Sequence, residues 1–296
     1  MLFRSCAEWS EVERISAGGL DERPPKVRQV KNRQSGGVRE LGIGAADDSS
    51  EANYNTVLSL VYAEGHRPDV AALQALAQAH SNSSAGVRFS LSHVADPAAG
   101  WAELLSSGLT YDCAGLAPAA PVPMPSGGAL LGLEKAPEGE AISLSPGPHL
   151  ADAMGMLPVV RVLAGLGAQL ASLPGATAVI WNPARCWMPP VYFGKVVDNW
   201  LADGPFPALG LTSLERESDG SIVSVGLALL TGQELRFLPD AKLVAADIAR
   251  IAVRLIHALI DTEPLTGPHT FLGPDRETLR VMPNLRGTQL DVTIER

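Results

Sequence analysis

The apolar and polar positions take on a regular rhythm near Tyr54. Thr56 to Tyr62 reads TVLSLVY, which predicts a strand, and Pro68-Asp69 opens VAALQALAQA, which predicts a helix ending around His80. Val87 to Val94 puts Val87, Phe89 and Leu91 on one face and Arg88, Ser90 and Ser92 on the other, the period of a half-buried strand. Asp96 and Pro97 predict the start of a short helix through Leu105, and Leu109 to Ala114 predicts another strand.

The second half repeats the mixed pattern. Leu130–Leu133 and Ala141–Leu144 read as a hairpin, and a long apolar segment follows from His149 to Leu173. From Ala151 onward this segment approaches the length of a membrane span, but it holds Asp152, Arg161 and Pro158. A charge near a bilayer centre costs roughly 2.5–3.5 kcal/mol on insertion scales, so a kinked core helix is the better reading and no span is expected.

Ala176–Trp181 predicts a compact strand and Tyr192–Leu201 a helix after the Pro189-Pro190 break. Leu209–Leu214 and Ile222–Leu230 predict antiparallel strands joined at Asp219-Gly220, and Gly232–Leu238 continues them. The clearest helix is Ala241–Ile260. Val244, Ile248, Ile251, Leu255 and Leu259 recur at three- and four-residue steps, with Asp247, Arg250, Arg254, His257 and Asp261 opposite. Strands near Leu279–Met282 and Gln289–Ile294 complete the pattern. The fold class is therefore α+β, with mixed, mainly antiparallel sheets packed against helices, and the two halves could be related α/β sandwiches.

With 296 residues, 46% hydrophobic and 19% charged, the chain is long and apolar enough to bury a sizeable core. Composition divides it into a flexible, low-weight segment over 1–53, a smaller α/β unit over 54–117, a Pro/Gly-rich connector over 118–128 and a larger α+β unit over 129–296. Leu2-Phe3-Arg4-Ser5 is what a common sequencing adapter encodes in one frame, so the first segment is treated as one that could be non-native. Pro118, Pro121, Pro123 and Pro125 favour extended geometry in the connector.

The formal net charge is -9. Residues 1–50 hold eight basic and eight acidic side chains, so the rest carries the whole excess, and nucleic acid is not an expected partner of the globular part. Cys6, Cys113 and Cys186 are too scattered for a disulfide framework or a zinc ribbon, which fits a reducing, cytoplasmic setting.

Candidate chemistry centres on Trp181-Asn182-Pro183-Ala184-Arg185-Cys186-Trp187-Met188-Pro189-Pro190, read as a loop leaving a strand. Indole and guanidinium groups are favoured anchors at protein interfaces, so Trp181, Asn182, Arg185 and Trp187 are the candidate binding residues for a protein partner still to be identified. Cys186 is a weak candidate nucleophile if a histidine lowers its pKa, and Glu234 and His257 are weak candidate site groups. The six histidines form no HExxH pair, and no metal or cofactor is expected. Gly226 to Leu235 carries glycines without a phosphate-binding fingerprint.

Taken in order, AAPVPMP, AVIWNPARCWMPP, IVSVGLALLTGQELRF and DAKLVAADIARIA give residues from about Thr56 onward a resemblance to an uncharacterised bacterial family, the domain of unknown function numbered four-two-six-one. The resemblance implies an α+β fold and carries no activity or catalytic residue to transfer. Two functions follow. The first is a non-catalytic interaction or accessory module working through the Trp181–Pro190 segment. The second is a metal-independent hydrolase using Cys186, a histidine and Glu234 in a cleft between the halves.

Overall fold

The computed structural model describes residues 56–81, 86–240 and 243–295. The expectations placed on 1–53, including those for Cys6 and the N-terminal charges, lie outside the described residues.

Two sheets organise the chain. The first is built from β1 (Leu58–Tyr62), β2 (Ser90–Val94), β3 (Trp101–Ser106), β4 (Leu109–Ala114), β5 (Ala129–Leu130), β6 (Glu140–Pro146), β7 (Ala176–Trp181) and β8 (Cys186–Met188). Their order across the sheet is β2-β3-β4-β6-β1-β7-β8-β5, antiparallel except where β5 joins β8. The second contains β9 (Ser213–Arg216), β10 (Ile222–Val225), β11 (Glu234–Phe237), β12 (His269–Leu272), β13 (Thr278–Pro283) and β14 (Gln289–Glu295), in the order β12-β13-β14-β11-β10-β9. Only β11 and β14 run parallel there. The fold is α+β with mixed, mainly antiparallel sheets.

The helices are α1 (Val70–Ser81), α2 (Leu157–Ala171), α3 (Pro190–Leu201), the short α4 (Ala208–Leu211) and α5 (Ala228–Thr231), and α6 (Ala245–Leu259). Helix α2 lies on the face of the first sheet that Leu58, Leu60 and Tyr62 present. It fits closely because Gly165 and Gly167 have no side chain: a Cβ at 167 would fall 2.6 Å from Leu58 Cδ1. Sheet tyrosines tie the helix down, with Tyr62 Oη donating to the Leu170 carbonyl at 2.8 Å and Tyr111 Oη to that of Val159 at 3.0 Å. Pro158 falls in the first helical turn, where its missing N–H breaks no bond, and no described helix is long and apolar enough to cross a membrane. In α6, Ile248, Ile251, Leu255 and Leu259 enter the same core as Leu235, Phe237, Leu279 and Val292 of the second sheet. Val244 instead stands exposed at the N-cap.

Several local expectations give way. The helix proposed for 96–105 shrinks to one turn over Pro97–Ala99, and Trp101–Ser106 becomes β3. The period of two in WAELLS buries Ala102, Leu104 and Ser106, and positive φ at Ser107 (52°) and Gly108 (78°) supplies the tight turn to β4. The hairpin expected between 130–133 and 141–144 does not form, because β6 pairs with β1 and β4 while β5 pairs with β8.

The connector at 118–128 is a strap over the sheet. Because β1 is inserted between β6 and β7, strands from both proposed units share one sheet, and the division at 117/129 marks no boundary between sheets. The strap and the residues after it cover the second face of β1 and β7, where Val61, Ala178, Ile180 and Trp187 form a small core with Leu130 and Leu133 packed on it. Arg67 fastens the strap at its start, donating to the carbonyls of Gly115 and Ala119 and to Glu140 Oε2.

Candidate functional site

Trp181 ends β7, one helical turn follows over Asn182–Ala184, and Arg185 in the left-handed region (φ 47°) turns the chain into β8. The segment read as a loop is thus a hairpin, with Trp181 paired to Cys186 and Ile180 to Trp187. This placement corrects the aromatic-anchor expectation. Trp181 is 0% exposed in the main core and Trp187 2% exposed beneath the strap, where its Nε1 donates to the Gly127 carbonyl at 2.9 Å. Asn182 is spent internally, its Nδ2 donating to the Thr56 carbonyl and to Ser59 Oγ. Asn182 stays partly accessible and Arg185 is exposed, its Nη2 donating to both carboxylate oxygens of Glu215 at 2.7 and 2.6 Å.

Among the described residues no hydrogen bond joins Cys186 to a histidine or to Glu234. Cys186 is buried, and desolvation pushes its thiol up to about 12, so the thiolate that a nucleophile requires is suppressed. The His257 ring, expected to face Asp261 on a wet helix surface, lies 2.8 Å by Nε2 from the Phe206 carbonyl. Among the described residues no three His, Cys, Asp or Glu side chains are placed to hold a metal ion.

Glu234 has a different task. Its carboxylate accepts the Ser224 hydroxyl and the backbone N–H groups of Gly226, Leu227 and Ala228, at 2.9, 3.3 and 2.9 Å for the three amides. Burial raises the carboxyl pKa, and these four donors act in the opposite sense. The group therefore closes the turn after β10 and caps α5, which is why the strand predicted over 222–230 stops at Val225.

That cap holds one wall of an open groove of about 730 Å³. Ala228, Leu229 and Leu230 of α5 form this wall. The segment from Asp152 to Pro158, with Met154, Met156 and Leu157, also lines it and touches α5 where a Cβ at Gly155 would overlap the Leu229 carbonyl oxygen. The third side is Ile260, Asp261, Thr262 and Glu263, just beyond α6. Two residues past this stretch the chain is tied down by the buried Gln233, whose amide donates to the carbonyls of Leu265 and Gly287 and accepts the Leu265 N–H, all at 2.8–2.9 Å.

Comparison with protein-family models, with curated proteins and with solved structures found no match. The groove therefore stands on its own chemistry. Its lining is apolar at Met154, Met156, Leu157, Leu229 and Leu230, and Met156 is 58% exposed. The sequence held a signal for it in Gly226-Leu227-Ala228-Leu229-Leu230-Thr231-Gly232-Gln233-Glu234: apolar side chains beside two chain-turning glycines and three polar side chains.

A second polar grouping lies on the half of the first sheet that the strap leaves uncovered. Glu103 and Asp112 are direct cross-strand partners on β3 and β4. Burial and the neighbouring Glu103 charge raise the Asp112 carboxyl, against the lowering effect of a Trp101 hydrogen bond and of His149. Ser92 Oγ donates to Glu103 Oε1 at 2.6 Å, and the His93 and Trp101 rings lie 5.6 Å apart.

Proposed function

We propose that the protein is a non-catalytic interaction module whose working surface is the groove between Asp152–Pro158, α5 and Ile260–Glu263. One observation carries this reading: Met156, Leu229 and Leu230 stay at least partly open to solvent, and the α5 wall that bears two of them is held from inside by Glu234 through the Ala228 N–H. The volume lies within the ~300–1,000 Å³ range of ligand sites, but the groove is open along its length. That shape suits side chains projecting from a partner segment, a mode that methionine-lined surfaces favour because thioether chains repack easily. The proposal keeps a protein partner, as the sequence suggests, and moves the contact away from the buried indoles of Trp181 and Trp187.

The test is site-directed photocrosslinking in lysate of the native host, with a photoreactive residue at Met156 and a control at exposed Val191 on α3. A discrete adduct at 156 that disappears on adding Leu230→Asp supports the groove. The same products at 156 and 191, indifferent to Leu230→Asp, would count against it.

A further inference from the structure

The groove has a strongly one-sided charge, and its partner should carry the complement. Asp152, Asp261 and Glu263 line it together with no Lys, Arg or His. Among the described residues none of the three forms an ion pair. All three are exposed, so each keeps its hydration until a partner arrives.

Helix ends do not reverse this balance. Leu157 and Pro158 place the start of α2 in the groove, worth about half a positive charge, while Ile260 and Asp261 place the end of α6 there, worth about half a negative one. These partial charges offset, and three full carboxylates remain. From this we infer that the occupant is a cationic amphipathic segment, with Lys or Arg on one side meeting the carboxylates and Leu, Met or Val on the other meeting Met156, Leu229 and Leu230. The inference rests on the groove being the docking surface and adds the chemical class of its partner. Residues beyond the groove favour the same sign at long range, since the chain outside its first fifty residues carries the full excess of -9.

The experiment uses the full chain and three synthetic amphipathic helices of equal length whose apolar face is leucine and whose polar face is lysine, glutamine or glutamate. Fluorescence anisotropy should give the lysine peptide an affinity about tenfold or more above the glutamine peptide, weakening as salt is added, and no saturable binding of the glutamate peptide. In Asp261→Asn/Glu263→Gln the lysine and glutamine peptides should converge, whereas the paired change Glu103→Gln/Asp112→Asn, on the other acidic surface, should leave the preference intact. Met156→Asp should abolish binding of the glutamine peptide, with circular dichroism showing that the variant remains folded. Equal affinities for lysine and glutamine peptides that Met156→Asp removes would overturn the charge inference and leave the groove standing. Lysine binding that ignores both Met156→Asp and the Asp261/Glu263 pair would overturn both.

Discussion

Gly226 runs so close to Ala184 that a Cβ at position 226 would lie 2.8 Å from the Ala184 nitrogen. This approach joins the hairpin of the first sheet to the end of β10 in the second. Gly226 also has φ +92°, where a side chain is strained even in open space. Gly226→Ala should therefore destabilise the fold by more than about 1 kcal/mol, measured as a lower urea midpoint.

Glu234→Gln keeps the shape of the α5 cap and converts a four-donor carboxylate into an amide that must turn an NH2 toward some of those donors. A loss of about 1–3 kcal/mol is expected from the unpaired groups. The pH dependence has a defined sign. A carboxyl raised in the folded state contributes stability that is complete below its unfolded pKa and fades as pH rises through the folded value. The stability difference between the protein and the variant should therefore narrow from about pH 4 upward, in a denaturation series spanning about pH 4 to 7.

Asp112 follows the same rule on a more open surface. Its raised carboxyl, displaced by burial and by Glu103, makes its contribution fall as pH rises above the ordinary aspartate range. Asp112→Asn should raise the melting temperature at neutral pH and make little difference in acid, with scanning calorimetry at both conditions as the check.

Cys113 and Cys186 are both buried, and desolvation places each thiol at about 12. Native protein treated with iodoacetamide should show neither position alkylated in a peptide map, and denatured protein should show both. Rapid labelling of Cys186 in the native state would return it to consideration as a nucleophile.

Arg67→Ala should release the strap. It leaves the Gly115 and Ala119 carbonyls without their guanidinium donor, a cost of about 2–5 kcal/mol for two half-buried acceptors. Limited proteolysis should then cut first within 118–128, while the protein with Arg67 intact resists there.

Periodicity made the frame legible: β1, α1, β4, β7, α3, α6 and the two C-terminal strands fall where apolar spacing predicts them. What escaped was pairing at a distance. Nothing local in Leu130–Leu133 tells it to run beside Trp187, and a proline-rich stretch reads as a linker whether it spans water or lies on a sheet. The site escaped for a related reason. Trp181 and Trp187 were conspicuous as residue types, but each alternates into a buried face once β7 and β8 pair, and residue type alone carries no burial. In the sequence Glu234 is only a weak candidate site group, because its role depends on three backbone amides that only the folded turn brings together.

The interleaved position of β1 also constrains synthesis. Its two neighbours are β6 and β7, so this strand, the first among the described residues, has neither sheet neighbour to dock on until Glu140–Pro146 has been made, and its second edge stays open until Trp181. A nascent chain paused before Glu140–Pro146 has emerged would display Leu58–Tyr62 as an apolar ribbon with both edges open, a surface prone to pairing with other chains.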